Sequence, residues 1–166
     1  REYYRLNFLA DTGNDNIRQE MEVSLQAGDL VGKLYDLLLR QYDDPTSEHS
    51  LKSLNALCVR LVFCLYAEDA GVFGKHDAFH DYIAKFNPQN VRIALKSLFK
   101  MLDTKPERRD PYDDKDLLAF PYVNGGLFAD ESIEIPRFTE EIVHLILQDC
   151  SLDFDWSCIS PTIFGA

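Results

Sequence analysis

Apolar residues recur at helical spacing over most of the chain. From residue 24 to 42, apolar side chains at three- and four-residue steps form one helix face, comprising Leu30, Leu34, Leu37, Leu38 and Tyr42. Pro45 ends this predicted helix, because proline disfavours helix in the residue before it. Residues 1–23 have weaker periodicity and turn-forming residues at 11–16. We therefore expect a strand-like or irregular lead-in there, tied to a preceding domain outside the chain.

A second helix is predicted over residues 51–70, and it is the most apolar of the chain. The segment 47–50 offers N-cap side chains, and Gly71 can supply the left-handed residue that ends the helix. From residue 56 to 67 only Arg60 is charged. A helix that is apolar nearly all round is typical of a buried central helix.

Three further helices follow. The pattern predicts a third helix over residues 78–85, a fourth over 89–102, and a fifth that Thr139 caps. Residues 103–116 form a charged loop. Residues 117–138, with prolines, a Gly-Gly pair and several aromatic residues, predict an ordered loop with short extended pieces.

The predicted fold is therefore mainly α, an irregular helical domain of about five to six helices with an ordered loop rich in proline and glycine. We divide the chain into a lead-in over residues 1–23, a helical domain over 24–152, and the start of a further helical link over 153–166. The chain begins without methionine and ends in an apolar segment. We expect it to be a piece of a larger protein.

The charge narrows the possible partners. Lysine and arginine total 17 against 28 aspartates and glutamates, giving a net charge of −11 and a pI of 4.7. Since nucleic-acid-binding domains usually have a pI above about 9, this chain alone should be repelled by DNA. The one candidate basic cluster is Lys105, Arg108 and Arg109. No apolar run approaches the ~20 residues of a membrane span, so we expect no membrane partner.

The cysteines indicate a reducing compartment. Cys58, Cys64, Cys150 and Cys158 form no CxxC motif and no short disulfide spacing. Cys58 and Cys64 lie in the apolar second helix, where cysteine acts as a small hydrophobic residue. Four reduced thiols and no signal peptide predict a cytoplasmic protein.

Glu68 and Asp69, at the end of the second helix, form the sharpest local feature. Paired carboxylates can perform acid–base or metal chemistry, but adjacent helical residues point about 100° apart. Arg60 lies close to two turns before Glu68, so a structural ion pair within a buried charge network is the favoured interpretation. An interdomain contact and a metal or catalytic role stay open as alternatives.

The other motifs favour structural roles. His76 and His80 have a zinc-binding spacing, but no glutamate follows His76, which favours exposed or capping side chains. Asn124, Gly125 and Gly126 predict a tight turn rather than a phosphate loop, which would need Lys-Ser or Lys-Thr. No P-loop, nucleophile elbow or dinucleotide fingerprint occurs. From the residues alone we expect no catalytic, cofactor-binding or metal-binding residue.

Three ordered strings nevertheless resemble a known family. They are LNALCVRLVFCLYAEDAGVF at residues 54–73, PYVNGGLF at 121–128, and FDWSCISPTIFG at 154–165. They are similar to the region before the methyltransferase domain in single-chain type IIG and type IIL restriction–modification enzymes and related phage-defence DNA adenine methylases of bacteria. The resemblance covers residues 20–166.

The resemblance implies a role within a larger enzyme. In that family an N-terminal nuclease precedes a helical connector, an adenine-N6 methyltransferase dependent on S-adenosylmethionine, and a target-recognition domain. This chain corresponds to the connector, with residues 153–166 leading into the methyltransferase. The family's His-Tyr-Thr/Ser, Asn-Pro-Pro-aromatic and Glu-x-Lys strings are absent, so no catalytic residue can be transferred. S-adenosylmethionine, and Mg²⁺ where a nuclease is present, are expected only in the parent enzyme.

The implied partners are the neighbouring nuclease and methyltransferase domains, with DNA bound only through the parent enzyme. We expect a docking face formed by the end of the second helix and the 121–128 loop, comprising Glu68, Asp69, Asn124, Gly125, Gly126 and Phe128. Two alternatives stay open. One is a free-standing helical protein-interaction domain of unrelated role. The other is a small metalloenzyme using His76, His80 and the Glu68–Asp69 pair.

Overall fold

The computed structural model describes the backbone of residues 2–159 and the side chains of residues 17–159. This part of the chain contains six α-helices and no strand, which confirms the mainly α prediction. The helices are α1 Glu2–Leu39, α2 Glu48–Asp69, α3 Ala78–Ala84, α4 Pro88–Leu102, α5 Lys115–Leu118 and α6 Glu140–His144.

The N-terminal segment is helical, so the prediction of a strand-like or irregular lead-in is wrong. Helix α1 runs unbroken from Glu2 to Leu39, through the turn-forming residues 11–16. Glycine and asparagine tolerate turns but cost a helix only about 1 kcal/mol or less each, and helix formers on either side propagate through them. Among residues 17–39 the first buried side chain is Ala27.

Helix α2 is the central helix, as predicted. The Ser47 hydroxyl accepts the N–H of Ser50 at its start, and Gly71, with φ +80°, follows its end. Its length and a mean hydropathy of 1.3 would suit a membrane span, but 61% of that window is buried inside the domain. Leu54, Leu57, Leu61 and Leu65, at three- and four-residue steps, are completely buried. This is the packing of a core helix surrounded by its own domain.

Helices α3 and α4 match the predicted third and fourth helices closely. Pro88 occupies the first turn of α4, where its missing N–H costs nothing. Val91, Leu95, Leu98 and Leu102 of α4 are buried against the core. Apolar periodicity of this strength therefore locates both the helix and the face that it buries.

The connection from α4 to α6 is long, irregular and well packed. It includes a 3-10 turn at Pro106–Arg108 and the short helix α5, which lies across the boundary of two predicted loops. The buried apolar side chains of this connection include Phe120, Phe128, Ile135 and Phe138. These residues confirm the prediction of an ordered loop.

Helix α6 confirms the fifth predicted helix, with the Thr139 hydroxyl accepting the N–H of Ile142. It continues as a π-helix over Leu145–Leu152, a change of winding that the sequence pattern did not indicate. Trp156–Cys158 then forms a 3-10 turn rather than the predicted start of a helix. Residues 160–166 of the predicted link lie outside the described residues.

Candidate functional site

Glu68 joins three helical segments through one carboxylate. It lies in the last turn of α2 and is completely buried. Its Oε2 accepts the backbone N–H of His80 in α3 at 2.8 Å, and its Oε1 accepts the hydroxyl of Ser151 in the π-helix at 2.6 Å. Burial raises the pKa of Glu68 above its ordinary value, while these two hydrogen bonds act in the opposite direction.

Asp69 holds the segment that follows the π-helix. Its Oδ2 accepts the backbone N–H of Trp156 at 2.8 Å. The buried Trp156 indole N–H in turn donates to the carbonyl oxygen of Cys150 at 2.7 Å. Burial also raises the pKa of Asp69. We call Glu68, Asp69 and the groups that they bind on His80, Ser151 and Trp156 the carboxylate clasp.

In the carboxylate clasp, the neighbouring side chains of Glu68 and Asp69 point in different directions. Adjacent positions on a helix point about 100° apart, so Glu68 and Asp69 reach different segments from the same turn of α2. Glu68 is buried and satisfied, as expected for a buried charge network, but its partners are a backbone amide and a hydroxyl. It therefore offers no surface to another domain, and its place on a docking face is corrected.

Arg60 fastens the long connection to α2. Its Nε donates to the carbonyl oxygen of Leu127 at 3.0 Å, and its Nη2 donates to that of Asp130 at 2.9 Å. The guanidinium carbon lies 5.2 Å from the ring centroid of Phe99 and 5.6 Å from that of Phe128, within cation–π range. Burial lowers the pKa of Arg60.

The predicted ion pair between Arg60 and Glu68 is wrong. No ion pair joins them among the described residues, where each binds groups far away in the sequence. Eight helical residues span about 12 Å at 1.5 Å per residue, too far for a close contact between these side chains once each is held elsewhere.

The four members of the predicted docking face that lie in the 121–128 loop are divided by burial. Asn124, Gly125 and Gly126 are exposed at a turn whose glycines have φ +117° and +80°. Phe128 is buried, with its ring centroid 5.6 Å from that of Phe63 and 5.4 Å from that of Phe99. The exposed turn is available for contact, whereas Phe128 belongs to the core.

The histidines do not share one site. The exposed His76 lies 3.3 Å from Asp77, and one ligand atom from each of Asp69, His76 and Asp77 lies within 4.8 Å of the others. His80 instead contacts Asp81 at 3.1 Å. The first group is close enough to hold a cation, but one Asp69 oxygen already accepts the Trp156 amide. An ordinary surface contact between His76 and Asp77 accounts for the remaining geometry.

Arg109 is a structural residue that the sequence did not reveal. Its guanidinium donates to four backbone carbonyl oxygens, those of Met101, Thr104, Leu118 and Phe120. Arg109, a member of the candidate basic cluster, is therefore half-buried and bound to the main chain, while Lys105 and Arg108 are exposed. No periodic pattern marks Arg109, because its acceptors are main-chain atoms that every residue carries.

The four cysteines are free thiols, as predicted. Cys58, Cys64 and Cys150 are buried, and Cys158 is exposed. Burial raises the pKa of Cys58 and of Cys150 to about 12. These thiols are protonated at neutral pH and act as small apolar side chains.

Comparison with known proteins gives three consistent similarities. A family described as "MmeI, helicase spacer domain" matches residues 52–128. DNA methyltransferase A of Bacillus subtilis (strain 168) is 31% identical over 164 residues, covering 96% of this chain and 18% of the relative. The type IIL restriction–modification enzyme MmeI, solved in complex with DNA, is 36% identical with a TM-score of 0.69, covering 84% of this chain and 18% of that chain.

The region matched by the family includes the residues that hold the fold together. The family match contains Arg60, Glu68, Asp69 and Phe128, which hold the helices and the long connection together. The chain spans only about a fifth of the length of these relatives. Residues 52–128 thus match the helicase spacer domain family of MmeI, and the chain is homologous to part of a DNA methyltransferase and to part of a type IIL restriction–modification enzyme.

Proposed function

We propose that this chain is a non-catalytic helical connector that positions a nuclease domain and an adenine-N6 methyltransferase domain within one longer polypeptide. The observation that carries the proposal is the use of Arg60, Glu68 and Asp69. Each of these charged groups joins α2 to a distant segment of the same domain. These side chains, which acid–base chemistry would need, are engaged in internal hydrogen bonds. This arrangement suits a rigid domain that holds the neighbouring domains at a fixed separation.

An apolar stripe on α1 supports a role in domain contact. Ile17, Met21 and Leu25 recur every four residues and are 57%, 60% and 70% exposed. Residues at this spacing share one face of a helix. An exposed apolar face favours a neighbouring domain of the same polypeptide as its partner, and the acidic chain then contacts DNA only through the rest of the enzyme.

We assign the cofactors of the parent enzyme to other parts of the polypeptide. In the described residues no strand precedes a glycine-rich turn, and Gly125–Gly126 leads into an irregular segment, so these residues do not fit S-adenosylmethionine. Asp69, His76 and Asp77 do not fit the Mg²⁺ of a nuclease, which prefers octahedral oxygen ligands, since one ligand is an exposed imidazole. We further propose that the parent is a cytoplasmic enzyme of bacterial phage defence.

Calorimetric titration tests the non-catalytic part of this proposal. The chain is titrated with S-adenosylmethionine and, separately, with duplex DNA at low salt. The full-length polypeptide serves as the positive control. We expect binding by the full-length protein and none by this chain. Binding of either ligand to the chain would place part of the catalytic machinery inside these residues.

The positioning role is tested in the full-length polypeptide with Ser151→Ala. This change removes one hydrogen bond of the carboxylate clasp, while Ser157→Ala is the matched control on an exposed serine. We expect S151A to keep S-adenosylmethionine binding but to reduce DNA methylation and cleavage. If S151A lowered only the unfolding midpoint and left both activities at the control's level, the clasp would be structural without positioning the domains.

A further inference from the structure

A small cavity adjoins the buried guanidinium of Arg60. It has a volume of about 230 Å³, and its wall includes Arg60, the two α4 lysines Lys96 and Lys100, and the rings of Phe99 and Phe128. Two carboxylate residues, Asp130 and Glu131, also line it. None of the roles described above uses this cavity.

Arg60 has unused donor capacity toward the cavity. The side chain is buried, with 4% of the residue exposed, and its Nε and Nη2 donate to backbone carbonyl oxygens. Its Nη1, which carries two N–H groups, donates to no acceptor among the described residues. In the described part of the chain, every completely buried side-chain nitrogen makes a hydrogen bond. Because Nη1 makes none, it is not completely buried and solvent reaches it. Since Arg60 lines the cavity, the cavity gives solvent or a ligand access to this donor.

Two free ammonium groups reinforce the positive charge. Lys96 and Lys100 are one helical turn apart on α4, both are exposed, and neither takes part in an ion pair of the described residues. On the other side, the Asp130 carboxylate accepts the N–H and the hydroxyl of Ser132, which holds it in its own turn. The cavity therefore combines three cations with two carboxylates, one of which is already engaged.

Size and charge together select the ligand. Pockets for drug-sized molecules begin at about 300 Å³, so this cavity accommodates a single small oxyanion rather than a nucleotide. Arginine and lysine recognise carboxylate and phosphate oxygens. Duplex DNA brings about one negative charge per 1.7 Å to a chain of net charge −11, whereas an acidic side chain brings a single charge. The carboxylate is the better match.

We propose that the Arg60 cavity receives an aspartate or glutamate side chain from a neighbouring domain of the same polypeptide. Nη1 of Arg60 and the ammonium groups of Lys96 and Lys100 bind the carboxylate, and the rings of Phe99 and Phe128 hold the guanidinium in place. The proposal rests on the connector role and names one of its docking points.

Carbodiimide cross-linking of the full-length polypeptide tests this contact, because the reagent joins lysine ammonium groups directly to neighbouring carboxylates. Cross-linked peptides are identified by mass spectrometry, with and without duplex DNA. We expect Lys96 or Lys100 to be joined to an acidic residue outside residues 1–166, in both conditions. The double variant Lys96→Gln, Lys100→Gln should lose these peptides, whereas Lys105→Gln, on another exposed lysine, should keep them.

The other outcomes overturn the proposal. Cross-links only to Asp130 or Glu131, or none, would show that no carboxylate of another domain enters the cavity. Loss of the cross-links on adding DNA, with protection of both lysines from acetylation, would identify a DNA phosphate as the occupant. Failure of the connector role is distinguishable, since the cross-links would then persist while S151A left methylation and cleavage unchanged.

Discussion

Replacing Glu68 separates the hydrogen bonds of the carboxylate clasp from its charge. Glu68→Ala leaves the His80 amide and the Ser151 hydroxyl without their acceptor in a buried position. Glu68→Gln keeps the shape, and its amide can satisfy both groups. The amide oxygen accepts the His80 N–H, and the amide nitrogen donates to the Ser151 oxygen. We therefore expect Glu68→Ala to be destabilised and Glu68→Gln to keep its stability.

The expected loss for Glu68→Ala is large. Each buried donor left without a partner costs about 1–3 kcal/mol, partly offset because the buried charge is also removed. The net decrease in the free energy of unfolding is then about 2–4 kcal/mol. For a domain of this size each kcal/mol lowers the unfolding midpoint by about 2–4 °C, which gives a decrease of roughly 4–16 °C. Glu68→Gln should lie within about 1 kcal/mol of the wild type at neutral pH.

The direction in which stability changes with pH provides an independent test of the role of Glu68. Burial raises the pKa of Glu68 above its ordinary value of 4.5, so the folded chain binds more protons than the unfolded chain between these two values. The contribution of Glu68 to stability is therefore greatest at acidic pH and falls as the pH rises through this window. Glutamine does not titrate. Raising the pH should thus shift the stability difference in favour of Glu68→Gln.

Urea unfolding followed by circular dichroism, at several pH values, measures all three effects. Glu22→Ala, on an exposed glutamate of α1, is the control and should change stability by less than about 0.5 kcal/mol. A Glu68→Ala variant as stable as this control would refute the role of the two hydrogen bonds. A wild type that gained stability relative to Glu68→Gln as the pH rises would refute the raised pKa of Glu68.

Three further substitutions test local features by the same unfolding measurement. Arg109→Lys should lower the free energy of unfolding by about 1–3 kcal/mol, because lysine cannot reproduce four hydrogen bonds to carbonyl oxygens. The control Arg108→Lys, at an exposed arginine, should leave stability unchanged, and equal values for the two variants would refute the structural role of Arg109. Gly71→Ala, at φ +80°, should cost about 1 kcal/mol, whereas Gly32→Ala inside α1 should stabilise by a similar amount; two changes of the same sign would contradict this. Thr139→Ala should cost about 1 kcal/mol through the lost cap, with Thr139→Ser close to the wild type; an equal loss in both would exclude the hydroxyl as the cause.

Local signals account for what the sequence predicted well. Helices α2, α3, α4 and α6 are marked by apolar periodicity and by residues at their ends, such as Ser47 and Thr139, whose side chains accept helix N–H groups. These interactions join residues three or four positions apart, so the linear pattern contains both partners. The burial of α2 follows from its nearly uncharged middle in the same way.

The errors have two different causes. The turn-forming residues 11–16 predicted an irregular segment, but the cost of each to a helix is small and the helix continues through them. The π-helix at Leu145–Leu152 also has no local signature. It brings Ser151 to Glu68, a residue 83 positions earlier, and the linear pattern gives no means of anticipating that contact.

The partners of the buried and half-buried charges could not be predicted, for a more general reason. Arg60 and Arg109 bind main-chain carbonyl oxygens, and Asp69 binds a main-chain amide. Main-chain groups are present at every residue, so no complementary charge identifies the bound segment in the sequence. The same reasoning explains why the predicted pairing of Arg60 with Glu68 failed, since it assumed that a buried charge needs an opposite charge. A buried charge needs hydrogen bonds, and in this domain the main chain supplies most of them.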